Sequence, residues 1–130
     1  METILWVSGG VDEKGNCKNT TEFISLDQPP LEGPKLPFTA YAHCMIQVDS
    51  KFIYLIGGLQ NGKQSDKTWI IDPTNDFQMK VGPTMNYTRY WHSCATMRLN
   101  NKIFLVVFGR WAKPEILDTS SPTNKWKLGK

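Results

Sequence analysis

The chain has 130 residues, a formal net charge of +3 from 15 basic and 12 acidic residues, and 40% hydrophobic and 12% aromatic residues. This composition predicts a folded globular domain and excludes a disordered tail. The charges are scattered without a run of like sign, and no apolar stretch is long enough to span a bilayer, so we expect neither nucleic-acid nor membrane binding.

The first part of the chain predicts two strands and a weaker third. The apolar run at residues 4–8 ends in Gly9-Gly10, a second strand covers residues 21–27, and a poorer strand lies near residues 33–36. A glycine pair marks a point where the backbone turns or approaches another segment closely. The opening residues contain no basic leader or cleavage site, so we expect no signal peptide.

The middle of the chain repeats this pattern and adds a strand before it. Residues 41–49 alternate between apolar and polar, which predicts a half-buried strand. The next apolar run ends in Gly57-Gly58, and a polar loop with the turn signal Asn61-Gly62 follows. The four strands predicted here lie at 41–49, 51–57, 68–72 and 77–81.

The last part again predicts four strands, which gives eleven in all. Its apolar run ends in Gly109, with Phe108 where the first glycine of the pair is expected. The glycines therefore recur about every 50 residues, which is typical of a protein built from repeated all-β units. The strands predicted here lie at 91–98, 102–108, 114–118 and 125–128.

The recurring residues resemble the kelch repeat. Arg89-Tyr90-Trp91-His92-Ser93 matches its inner strand, Phe52–Gly58 its glycine doublet, and Trp69–Asn75 its aromatic strand and turn. The resemblance implies an all-β partial kelch-type β-propeller of three four-stranded antiparallel blades, the first lacking its innermost strand. The blades cover about residues 1–37, 38–86 and 87–130. The residues that carry the repeat motif are Gly9, Gly10, Gly57, Gly58, Gly109, His43, His92, Arg89, Trp69 and Trp126.

Members of the kelch family often serve as recognition domains, so the resemblance implies a non-catalytic protein-binding module without cofactor or metal. Because binding residues favour loops held by a rigid scaffold, we expect the inter-strand loops to engage a protein partner. One candidate loop lies at residues 12–19. The other candidate binding residues are Gln60, Asn61, Lys63 and Asp66 in a second loop, and Arg110, Trp111 and Lys113 in a third.

Two alternatives to this function stay open. The histidines His43 and His92, with Tyr41, Tyr90 and Cys94 nearby, resemble the residues of a kelch-type copper oxidase, although a structural role for both histidines is preferred. Kelch rings usually close with about six blades. The second alternative is therefore a structural module that self-associates, with two copies of this chain forming a homodimer that completes a six-bladed ring. A third reading is that the chain is a segment of a longer propeller.

The cysteines and sequons leave the compartment open between cytoplasmic and extracellular. The three cysteines are an odd number, so at least one is free or pairs between chains. Strand alternation places Cys44 and Cys94 on opposite faces, and we therefore expect no bond between them. Asn19 and Asn86 begin sequons. Three aspartates that end strands are predicted to cap turns, namely Asp27, Asp72 and Asp118.

Overall fold

The computed structural model describes residues 4–109 and 112–130. These residues form fourteen strands and no helix, so none of them belongs to a helix able to cross a membrane. The strands are, in chain order, β1 (Leu5–Ser8), β2 (Thr21–Ile24), β3 (Leu31–Glu32), β4 (Ala40–Tyr41), β5 (Cys44–Val48), β6 (Phe52–Ile56), β7 (Leu59–Gln60), β8 (Lys63–Gln64), β9 (Thr68–Asp72), β10 (Gln78–Val81), β11 (Ser93–Leu99), β12 (Lys102–Gly109), β13 (Ala112–Asp118) and β14 (Lys127–Leu128).

The strands pair into four antiparallel sheets. The first sheet has the order β1-β2-β3, the second β5-β6-β9-β10, the third β11-β12-β13-β14, and a small sheet β4-β7-β8. The chain divides into two compact units. The first unit extends to Tyr41 and adds Leu59–Lys63, and the second comprises Ala42–Gly58 and Gln64–Lys130.

In the first unit, β1 and β2 pair along their whole length and leave the edge to the short β3. The connection at residues 12–19 is an ordered turn, because the Asp12 carboxylate accepts hydrogen bonds from the backbone N–H groups of Lys14 and Asn16 at 2.9 and 2.8 Å. The buried Thr21 hydroxyl donates to the Pro34 carbonyl oxygen at 2.6 Å. These bonds fix the ends of the sheet.

In the second unit, each four-stranded sheet is a meander whose strands pair in chain order, with the β7–β8 hairpin inserted between β6 and β9 of the second sheet. The first hairpins of the two sheets close through Asp49-Ser50 and Asn100-Asn101, all four with positive φ. Two such residues give the turn whose twist matches that of the paired strands. Asp72 and Asp118 accept backbone hydrogen bonds two residues on, from Thr74 and Ser120 at 3.0 Å, as turn-capping aspartates do.

The hydrophobic core of the second unit is shared by the second and third sheets. Trp126 joins this core and donates its indole N–H at 3.1 Å both to the Thr68 hydroxyl and to the Pro83 carbonyl oxygen. Its buried members are Val48, Tyr54, Ile56 and Ile70 from the second sheet, Leu105, Val107 and Leu117 from the third, and Met85 and Trp126 from the connections. Alternation along β6 supplies Tyr54 and Ile56, and alternation along β12 supplies Leu105 and Val107.

The all-β prediction is confirmed, and so are the four-stranded antiparallel sheets of the middle and last parts. Several predicted strands begin or end one to three residues away from the observed ones, and three differences go beyond such shifts. The strand expected near residues 33–36 lies at Leu31–Glu32, and the strand expected over 41–49 breaks at Ala42, where φ is 57°. The two-residue strands of the small sheet were not predicted, because two residues carry no alternation to detect.

The expectation that Cys44 and Cys94 stay apart is wrong: a disulfide joins them, with 6.1 Å between their Cα atoms. The prediction considered only which face of its own sheet each cysteine occupies. When two equivalent sheets pack side by side, one face of the first meets the other face of the second, so cysteines on opposite faces of the two sheets can meet. Cys94 indeed packs against the shared core. Cys17 is the free cysteine, as the odd number requires.

Candidate functional site

The loop predicted to bind a partner is a small hairpin formed by β7 and β8. Its turn, Asn61-Gly62, has positive φ at both residues, 51° and 78°. The Asn61 N–H donates to the Thr39 carbonyl oxygen at 2.9 Å, and the Asn61 side-chain oxygen accepts from the Thr39 N–H at 3.1 Å. Asn61 is therefore an anchor as well as a surface residue. Gln60 is half-buried, whereas Lys63 is exposed.

Asp66, the last predicted residue of this loop, is half-buried. Its backbone oxygen accepts from the Met85 N–H at 2.8 Å, and the preceding Ser65 N–H donates to the Gly58 carbonyl oxygen at 2.9 Å. The backbone after the hairpin is thus fixed by hydrogen bonds. This leaves the tip, around Gly62 and Lys63, as the part of the loop most available to a partner.

The third predicted loop is only partly described. Arg110 and Trp111 lie outside the described residues. Lys113 is exposed but belongs to strand β13 and not to a loop, contrary to the prediction. The backbone on both sides of this segment accepts hydrogen bonds from Arg89, whose guanidinium donates to the carbonyl oxygens of Gly109 and Lys113. A buried arginine therefore holds the two ends of the predicted loop.

Arg89 belongs to a buried ion pair that the sequence did not reveal. Its partner is Glu115, and both side chains are fully buried, with guanidinium nitrogens 3.1 and 3.2 Å from one carboxylate oxygen. Glu115 also accepts from the Asn86 N–H at 2.6 Å, the Asn86 amide at 2.8 Å and the Tyr87 N–H at 3.3 Å. We call Arg89, Glu115 and Asn86 the polar cluster; its ion pair is buried, and Asn86 is exposed.

One signal in the sequence could have pointed to this cluster. Along β13, Glu115 alternates in phase with the core residue Leu117, so it falls on the buried face of its strand. A carboxylate there needs a charged or hydrogen-bonding partner. The cluster also involves the second sequon, because the amide nitrogen of the exposed Asn86 donates to Glu115 and to the Trp126 carbonyl oxygen.

The glycine doublet of the middle part lies against the two histidines. A Cβ at Gly57 would lie 2.6 Å from the Arg89 carbonyl oxygen and 3.0 Å from His92, and a Cβ at Gly58 would lie 2.7 Å from the Cα of His43. These separations are shorter than side chains tolerate. The doublet is glycine because another backbone approaches it closely, in keeping with the structural reading of both histidines.

Both histidines have a pKa below the ordinary value of 6.5. Burial lowers the pKa of His43. Burial also lowers the pKa of His92 to about 4; the nearby Ile56 backbone opposes the shift, and the positive charges of Arg89 and His43 add to it. Both imidazoles are therefore neutral at pH 7.

One residue of the arrangement expected of a copper oxidase is engaged elsewhere in the structure. The sulfur of Cys94 is bonded to Cys44, so it is not available for a bond to a tyrosine ring. Within residues 4–109 and 112–130, no three side chains of His, Cys, Asp or Glu come together as metal ligands.

The remaining residues of the repeat motif are described by their backbone conformation or by their place in a strand. Gly9, Gly10 and Gly109 have positive φ, and Trp69 lies half-buried in β9.

Comparison of the sequence with models of known protein families found no match, and comparison with curated proteins found none either.

Proposed function

We propose that the chain is a non-catalytic protein-binding module with the architecture of a partial kelch-type propeller. Three features support the architecture: the recurrence of the motif residues, the meander order of the second and third sheets, and the core that these two sheets share. Repeated antiparallel sheets packed face against face are how propellers bury their strands.

The observation that carries the binding function is the hairpin at Leu59–Gln64. Its tip is open, because a Cβ added at Gly62 would meet nothing within 4 Å, and Lys63 and Gln64 are exposed. Its base is held by the Ser65 N–H, which donates to the Gly58 carbonyl oxygen, and its turn is held by the two hydrogen bonds between Asn61 and Thr39. An exposed tip on an anchored base presents side chains with little loss of entropy on binding, which favours recognition.

Reversing one charge at the hairpin tip tests this function. The natural chain, Lys63→Glu and the control Lys51→Glu are immobilised and exposed to the same extract, and captured proteins are quantified by mass spectrometry. Lys51 is also an exposed turn lysine, but it lies in the β5–β6 hairpin. We expect at least one protein whose capture falls about tenfold with Lys63→Glu and not with Lys51→Glu. If the two variants capture the same proteins equally, the hairpin is not the binding surface.

Self-association is a second candidate function, and a different observation favours it. One face of the third sheet is apolar and remains exposed, with Met97, Leu99 and Phe108 between 42 and 55% accessible. Monomeric proteins rarely expose an apolar area of this kind. A second copy of the chain is the partner that we propose for this face. A homodimer that completes a six-bladed ring is one form that such an association would take.

A further inference from the structure

The exposed face of the third sheet is defined by strand register. Residues directly opposite one another in an antiparallel sheet share a face. Ala95 pairs with Val106, which pairs with Ile116, and Met97 pairs with Phe104. These residues lie on the other face of the sheet from the core residues Leu105 and Val107. We call this surface the third-sheet face; its apolar members are Ala95, Met97, Leu99, Phe104, Val106, Phe108 and Ile116.

The charges that border the third-sheet face sum to +1. Lys102 pairs with Leu99 and Lys127 with Ile116, so both lysines lie on this face. Asp118, opposite Phe104, is the one carboxylate there, and it lies 3.5 Å from the Lys102 ammonium. Among the described residues Lys127 has no carboxylate within ion-pairing distance.

The first sheet, considered by itself, also exposes an apolar face. Leu5 pairs with Ile24, and Val7 with Glu22, so these four residues share one side of the sheet. Leu5 is 61% exposed and Val7 41%. Glu32 lies opposite Glu22 and adds a second carboxylate. We call this surface the first-sheet face; its charge is −2.

We propose that two copies of the chain associate head to tail, the first-sheet face of one copy packing on the third-sheet face of the other. The proposal rests on the second candidate function, self-association, and defines its interface. Apolar side chains cover apolar side chains, and Glu22 and Glu32 meet a border that carries Lys102 and Lys127. Burial of apolar area drives such an association, and the opposite charges set its orientation.

The charges disfavour the symmetric alternative in which two first-sheet faces pack on each other. Two first-sheet faces together would place four carboxylates, Glu22 and Glu32 from each copy, in one interface. Like charges brought together and desolvated in an interface are costly. Pairing unlike faces avoids this repulsion and produces a heterologous interface, which extends to rings or chains of copies.

The experiment measures the mass of the particle by light scattering behind a sizing column, from low to high micromolar concentration. The natural chain is compared with Met97→Glu, which places a carboxylate on the third-sheet face, and with Val7→Glu, which does the same on the first-sheet face. Leu26→Glu is the matched control, since Leu26 is 99% exposed and belongs to neither face. Circular dichroism shows whether each variant is folded.

We expect the natural chain and Leu26→Glu to reach at least twice the mass of 14.8 kDa. Each face variant alone is expected to remain a monomer over the same concentrations. An equimolar mixture of Met97→Glu and Val7→Glu should form a dimer and nothing larger, because each variant keeps the face that the other lacks. Only a head-to-tail interface gives this recovery.

Three results would overturn the inference: a natural chain that stays monomeric throughout, association that neither folded face variant weakens, or a mixture that remains monomeric while the natural chain associates. None of these results affects the hairpin experiment, in which Lys63→Glu changes neither face. Conversely, loss of the hairpin effect with intact association would leave the second copy as the partner and remove the loop as the binding surface.

Discussion

The buried ion pair of Arg89 and Glu115 allows the sharpest test of how the second unit is stabilised. Replacing Glu115 with glutamine keeps the size and shape of the side chain and removes its charge. The Arg89 guanidinium then keeps the carbonyl oxygens of Gly109 and Lys113 as acceptors, and neither of them carries a formal charge. It becomes a buried cation without a counter-charge, since both side chains of the pair are fully buried.

The expected loss of stability is large. Removing one partner of a buried pair typically costs about 3–5 kcal/mol, a substantial part of the roughly 5–15 kcal/mol by which a domain is stable. Arg89→Met should cost about 1 kcal/mol less than Glu115→Gln, because the orphaned carboxylate still accepts N–H groups of Asn86 and Tyr87. The double variant Arg89→Met/Glu115→Leu buries no unpaired charge. Its loss in free energy of unfolding should therefore be smaller, by at least about 2 kcal/mol, than the sum of the losses in the single variants Arg89→Met and Glu115→Leu.

Urea unfolding followed by tryptophan fluorescence measures these free energies. The control is Asp49→Asn, which breaks the exposed pair of Asp49 and Arg98, 3.6 Å apart, and should change stability by less than about 1 kcal/mol. A Glu115→Gln variant as stable as this control would refute the reasoning. So would additive effects of the two substitutions in the cycle, because additivity means that the charges do not interact.

Three further predictions concern the disulfide, a glycine and a histidine. The double variant Cys44→Ser/Cys94→Ser should lower the free energy of unfolding by about 4 kcal/mol, since the bond closes a separation of 50 residues, and an unchanged urea midpoint would contradict this. Gly58→Ala should cost roughly 2 kcal/mol more than Gly62→Ala in the same assay, because both have positive φ but only Gly58 would clash with a neighbouring backbone; equal costs would show that the backbone gives way. The pKa of His92 is lowered to about 4, so as the pH falls below 6.5 the unfolded chain takes up a proton before the folded chain does, and stability decreases toward pH 4. His92→Gln should therefore remove roughly 1–2 kcal/mol of the stability lost between pH 7 and 5, allowing for solvent screening. A His92→Gln chain with the same pH dependence as the natural one would exclude this titration.

Strand positions were predictable where the signal is local. The run at Phe52–Ile56 is apolar and β-branched, and the turn at Asp49-Ser50 follows from two short polar residues between alternating segments. The disulfide was not predictable in this way. Alternation says which face of its own sheet Cys44 occupies, but not which neighbouring sheet that face meets.

The candidate site shows the same division. The turn signal at Asn61-Gly62 located the hairpin, whereas its anchor on Thr39, 22 residues earlier, depends on tertiary contacts. Glu115 could have been placed on the buried face of β13 from its spacing to Leu117. Its partner, 26 residues away, could not, because no periodicity links the two positions.

The strand β12 connects the fold to the proposed association. Its residues Ile103 to Phe108 are all apolar, although a strand that buries only one face alternates apolar with polar. One set, including Leu105 and Val107, lies in the core shared with the second sheet. The other set, Phe104, Val106 and Phe108, belongs to the third-sheet face. A continuous apolar run is typical of a strand covered on both sides, so the composition of β12 itself favours a second layer over this face.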